Sequence, residues 1–73
     1  ITEEDLLGFI NKQDNKCAIC NIELTKEFLI DHCHTTNKVR GLLCRDCNFA
    51  IGLFKDNIKT LENAIQYLSK TNK

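Results

Sequence analysis

Apolar residues fall at helical spacing near both ends of this chain and in short runs in its middle. Near the start, Leu6, Leu7, Phe9 and Ile10 form a stripe behind Thr2 and the acids Glu3, Glu4 and Asp5. Thr2 can cap a helix and the acids favour the positive end of its dipole, so the pattern predicts a helix over residues 3–12. The polar turn Gln13-Asp14-Asn15-Lys16 follows. Phe28-Leu29-Ile30 has strand preference, and Val39 to Leu43 reads as a returning strand after the polar turn Thr35-Thr36-Asn37-Lys38. Together they predict a hairpin with Asp31 to His34 near its bend. Gly41, inside the returning strand, marks a bulge or a close backbone approach. A short helix is expected from near Asp46, carrying Asn48, Phe49, Ala50 and Leu53, before Gly52 and Asp56-Asn57 break the pattern. Ile58, Leu61, Ala64, Ile65 and Leu68 then repeat at three- and four-residue intervals, which predicts a helix over residues 58–70 capped by Asp56 or Asn57. Its stripe is expected to pack Leu61, Ile65 and Leu68 against Leu6, Phe9 and Ile10.

A length of 73 residues fits one domain over residues 1–73. Without Pro or Trp, the core must come mainly from Leu, Ile and Phe, and domains of this size are often stapled. The expected fold is therefore a small zinc-stapled α+β domain, a β-hairpin plus helix flanked by N- and C-terminal helices. Structural zinc can contribute about 10–16 kcal/mol in small peptides, as much as the net stability of most domains.

The staple is visible in the cysteines. Cys17-x-x-Cys20 and Cys44-x-x-Cys47 form two pairs separated by 23 residues, and Cys33 is left over. Paired C-x-x-C spacing suits a closed tetrahedral Zn²⁺ site, and the long gap leaves room for the hairpin. No signal peptide and no membrane-length apolar run is present, so a secreted disulfide framework and a membrane protein are not expected. A reducing, cytoplasmic setting is. A site closed by four sulfurs has no open position for water, so this zinc would be structural. On the cysteines alone, a non-catalytic zinc module binding nucleic acid or protein would be favoured.

Asp31, His32, His34 and Asn48 change that picture. Both histidines of the chain lie in one short string beside an Asp and between the knuckles. Phosphodiester cleavage needs a deprotonated water, charge stabilisation on the phosphate and help for the leaving oxygen. A neutral imidazole can take the water proton, and Asp31 and Asn48 can each offer an oxygen to a hard cation such as Mg²⁺ or Mn²⁺. Successive strand residues point to opposite faces, so Asp31 and His32 can share a site only if the strand ends or bulges there. Formal charge is zero overall, but His32 to Arg45 carries Lys38, Arg40 and Arg45 with no acid, a local +3 suited to a phosphate backbone.

The run D-H-C-H-T-T-N-K-V-R-G-L-L-C-R-D-C-N-F-A-I-G, with Gln13 and Cys17-Ala18-Ile19-Cys20 upstream and Asp56-Asn57 and Tyr67-Leu68 downstream, resembles the recombination endonuclease VII family of the His-Me finger (ββα-metal, HNH-type) nucleases. The resemblance implies a metal-dependent DNA endonuclease or nickase in which hairpin and helix grip one Mg²⁺ or Mn²⁺. Asp31 and Asn48 would be its ligands and His32 the general base. His34 would assist at the phosphate or metal, and Arg40 would clamp a phosphate. DNA would be the partner, and the setting a bacterial or phage-infected cell. Two departures stand out. Cys33 replaces the family's usual Asp, which removes a carboxylate and reads most simply as a small buried filler. The junction-resolving member also carries a further region for dimerisation and junction binding, so Holliday-junction resolution does not transfer. A homodimer partner or an additional domain outside this chain is left open.

Overall fold

The computed structural model describes residues 2–25 and 27–70. Its elements are α1 (Glu3–Lys12), β1 (Leu29–His32), β2 (Val39–Leu43), α2 (Arg45–Leu53) and α3 (Ile58–Ser69). Thr2 closes a capping box on α1: its hydroxyl accepts from the Asp5 backbone N–H at 3.1 Å, and the Asp5 carboxylate accepts from the Thr2 N–H at 3.3 Å. Asp14 and Asn15, both at positive φ, then turn the chain back towards the first knuckle.

β1 and β2 pair antiparallel. Asp31 and His32 lie within β1, not at the bend, which spans residues 33–38 and is closed by Cys33 N–H to Lys38 O at 2.8 Å. The register runs Leu29↔Leu43, Ile30↔Leu42, Asp31↔Gly41 and then His32↔Val39, so Arg40 is an extra, bulged residue opposite the Asp31–His32 step. β1 itself ends at His32, so of the two expected irregularities the strand's end falls at the Asp–His pair, and the extra residue lies across from it on β2.

Gln13, read from the sequence as a turn residue, stitches α1 to β2. Its side-chain oxygen accepts from Leu42 N–H at 2.9 Å, while its Nε2 donates to Leu42 O at 2.9 Å and Lys16 O at 2.8 Å. This clasp explains Gly41, where a Cβ would come within 2.9 Å of the Gln13 oxygen. The core is small: Cys17, Leu24, Leu42 and Leu43 are buried, and Leu6, Phe9, Ile10, Phe28, Ile30, Cys44, Cys47 and Ile51 pack around them. Cysteine sulfurs and aliphatic side chains thus share one core.

The expected packing of α3 on α1 does not occur. Among the described residues, α1 packs against β2 and α2 against both strands, whereas α3 packs against no other element. Leu61 and Ala64 are half-buried, but Ile65 is 64% exposed and Leu68 54%. The physical reason lies at both ends of the expected contact. The stripe of α1 is already spent on the core, and the turn at Lys55 and Asp56, both at φ 56°, launches α3 away from it. The molecule is accordingly elongated, 43 × 27 × 18 Å. Leu42, fully buried, is the residue whose truncation should matter most. Leu42→Ala is expected to cost about 2–5 kcal/mol, and Ile65→Ala to stay within about 0.5 kcal/mol, in thermal melts of the zinc-loaded protein.

Candidate metal centre and active site

The two knuckles converge. The sulfurs of Cys17, Cys20, Cys44 and Cys47 all lie within 4.8 Å of one another. Cys20 and Cys44 sulfurs are 3.7 Å apart. A tetrahedral ion with Zn–S bonds near 2.3 Å has ligand–ligand edges of about 3.8 Å, which the Cys20–Cys44 separation matches, so the four sulfurs are positioned to take a metal ion such as zinc. Backbone amides point inward as well: Ile19 N–H donates to Cys17 Sγ and Cys47 N–H to Cys44 Sγ, both at 3.4 Å. Cys44 is also the N-cap of α2, so one sulfur caps the helix and offers itself to the metal.

Burial pushes the Cys17 thiol up, but the backbone N–H groups of Cys20, Cys44 and Ile19 and the Cys47 thiol outweigh it and hold Cys17 at about 6. Burial, then the sulfurs of Cys44, Cys20 and Cys17, push Cys47 up. Cys33 is not part of the cluster. The Thr36 hydroxyl, helped by the Thr36 and Thr35 amides, lowers its thiol to about 7. It is half-buried, where a small buried filler was expected.

Asp31, His32, His34 and Asn48 line one cleft of about 270 Å³ together with Ile30, Ile51, Gly52 and Asp56. β1 supplies Asp31 and His32, and α2 supplies Asn48 one turn after its cap, with Asn48 N–H bonded to Cys44 O at 3.1 Å. The Asn48 side chain has no hydrogen-bond partner among the described residues. Arg40, the bulged residue, folds back over Asp31: Nε donates to Oδ2 at 2.6 Å and Nη2 to Oδ1 at 3.0 Å. Nη2 also donates to Asp56 Oδ2 at 3.2 Å. The Asp31 hydrogen bonds, and then the charges of Asp31 and Asp56, raise the Arg40 pKa against partial desolvation. Asp31 Oδ1 and Oδ2 each keep a further lone pair, so the carboxylate can serve Arg40 and a cation together.

Lys38 and Arg45 are not brought here. Lys38 lines a groove with Glu4, Asp5 and Lys12 of α1, and Arg45 lines another with Glu23, Glu27 and Asp46. Asp56, expected only as a helix cap, belongs to the cleft instead, and Asn57 caps α3 by accepting from Thr60 N–H at 2.9 Å. The sequence signal for Asp56 was its position in the downstream match.

A hairpin and helix beside four clustered cysteines positioned to bind a metal ion, with histidines and hard oxygen donors in a neighbouring cleft, define a small α+β domain with a candidate zinc site. The sequence matches the family described as recombination endonuclease VII over residues 1–70, and the chain belongs to that family. It is similar to the Gene 59 protein of Mycobacterium phage D29, at 40% identity over 96% of this chain and 44% of that protein. It is also similar to the Gene 59 protein of Mycobacterium phage L5, at 37% identity over 93% of this chain and 43% of that protein. The chain spans less than half the length of these curated relatives. No helix among the described residues is long and apolar enough to cross a membrane.

Metal analysis of purified protein should find one zinc per chain, with only sulfur in the first shell by X-ray absorption. Zinc must displace protons from thiols, Cys47 among them, so apparent affinity should fall from about pH 8 to about pH 6. Affinity independent of pH would contradict the four-thiolate assignment.

Proposed function

We propose that this domain hydrolyses phosphodiester bonds in DNA, as an endonuclease or nickase of the His-Me finger type, with a structural zinc and one catalytic divalent ion. The observation that carries the reading is the shared cleft of Asp31, His32, His34 and Asn48. A polymer's phosphate can reach only a solvent-facing site, and His32 and His34 are exposed. The closed four-sulfur cluster is a brace and takes no part in the chemistry.

In this reading His32 acts as general base and removes the proton of the attacking water. Asp31 and Asn48 offer one oxygen each to Mg²⁺ or Mn²⁺, a hard-donor set that leaves room for water and phosphate oxygens. When bound, that ion would neutralise charge on the phosphate and on the leaving oxygen. Arg40 keeps the Asp31 carboxylate oriented, and its Nη1, without a hydrogen-bond partner among the described residues, is available to a phosphate oxygen. His34 lies across the cleft and assists at the phosphate or metal. The partner is DNA, and the phage relatives support the cytoplasm of an infected bacterial cell as the setting.

The test is cleavage of single-stranded, duplex and branched DNA with Mg²⁺ or Mn²⁺. The control omits the ion rather than adding a strong chelator, which would strip the zinc. His32→Ala should lose about 10²–10⁴-fold in rate with zinc content unchanged. Asp31→Ala should lose activity and metal dependence together, His34→Ala should be milder, and Asn48→Asp should keep measurable activity. DNA binding without cleavage under every condition would leave the non-catalytic zinc module.

A further inference from the structure

The proposed chemistry employs Asp31, His32, His34 and Asn48, yet the cleft holds a second carboxylate that it does not use. Asp56 comes from the α2–α3 turn, outside the hairpin and α2 that carry the other groups. Its side chain is only 19% exposed. One of its oxygens, Oδ2, meets two members of the site: Arg40 Nη2 at 3.2 Å and His34 Nε2 at 3.3 Å. The His34 side chain is otherwise 86% exposed, so little else restrains it.

We propose that Asp56 is a positioning residue for the reaction described above, acting through Arg40 and His34 at once. On the Arg40 side its Oδ2 accepts from Nη2, the same nitrogen that donates to Asp31 Oδ1, while Nε donates to Asp31 Oδ2, so two carboxylates hold one guanidinium. Arg40 is thereby fixed at two points, and Asp31 with it. On the His34 side it turns an exposed ring into the cleft and favours the tautomer with its proton on Nε2, leaving Nδ1 as the acceptor. Carboxylates that orient a histidine in this way typically contribute about 10–100-fold to metal affinity or activity. The proposal rests on the nuclease reading for its catalytic consequence, but the orientation of His34 and Arg40 can be observed without any substrate.

Backbone geometry offers a clean way to separate this role from a turn role. Asp56 sits at φ 56°, in the left-handed region where Asn and Gly are at home. If Asp56 served only the turn, Asp56→Asn and Asp56→Gly would be neutral or stabilising. As a positioning residue it cannot be replaced by either, because Asn lacks the charge and Gly the side chain.

The experiment uses the full zinc-loaded chain and three variants: Asp56→Asn, Asp56→Gly and Asp56→Glu. Zinc content, melting, steady-state cleavage of supercoiled DNA with Mg²⁺, and the ¹⁵N resonances of the His34 ring and Arg40 Nε–H are read for each. The expected result is intact zinc and melting for Asn and Gly, kcat lower by about 10–100-fold with KM within about twofold, and shifted His34 and Arg40 resonances. Asp56→Glu should recover part of kcat. Wild-type kcat with unmoved resonances in both Asn and Gly variants would overturn the proposal. So would loss of zinc or of cooperative melting in Asp56→Asn, which would make Asp56 a structural residue. If the wild-type chain cuts no DNA, the nuclease reading fails by itself. The resonances then decide: movement in both variants keeps Asp56 as the orienting group, and no movement removes it.

Discussion

Four sulfurs from two distant stretches of chain meet at one point, and the other features of the domain follow from that meeting. The buried side chains are few, and Cys17 is one of them. A core this small cannot hold a two-stranded sheet, α1 and α2 by apolar burial alone. The knuckle after α1 is tied to the N-terminus of α2 through Cys44, which is both a ligand candidate and the helix cap. Anything that fixes Cys44 therefore fixes Asn48, one helical turn further on. The Gln13 clasp on Leu42 fastens β2 to the end of α1.

The second constraint is the bulge. Regular strand geometry would send Asp31 and His32 to opposite faces, and the ladder is irregular at that step, where β1 ends at His32 and β2 carries one extra residue. That residue is Arg40, whose guanidinium answers the Asp31 carboxylate with two hydrogen bonds. Asp31 and His32 line one cleft beside this distortion, and the bulged residue supplies the cation that holds Asp31. Bulges recur beside functional sites because they re-aim side chains in this way.

Much of this was legible in the sequence because the signals are local. The capping pattern of Thr2, the stripes of α1 and α3, the C-x-x-C pairs and the need for a strand end or bulge at Asp31–His32 each depend on a few neighbouring residues. What escaped depends on distant ones. Gln13 reads as a turn residue until Leu42 is beside it. Asp56 reads as a cap until Arg40 and His34 reach it. Lys38 and Arg45 share a charge run with Arg40 yet line other grooves, because a hairpin and a helix start send neighbouring side chains in different directions. The apolar face of α3 correctly announced a helix but not its partner, since an amphipathic stripe says that a face prefers burial and not what covers it.

The central claim is that the four-sulfur site, not apolar packing, holds the hairpin against α2. Amide hydrogen exchange on the zinc-loaded and zinc-depleted protein tests it most directly, because it reports each element separately. The account predicts that removing zinc collapses protection together in Ile30, Leu42, Leu43 and the first turn of α2, while the exchange of α3 amides, which lean on no other element, changes little. Strong protection of the hairpin and α2 amides in zinc-free protein would contradict it.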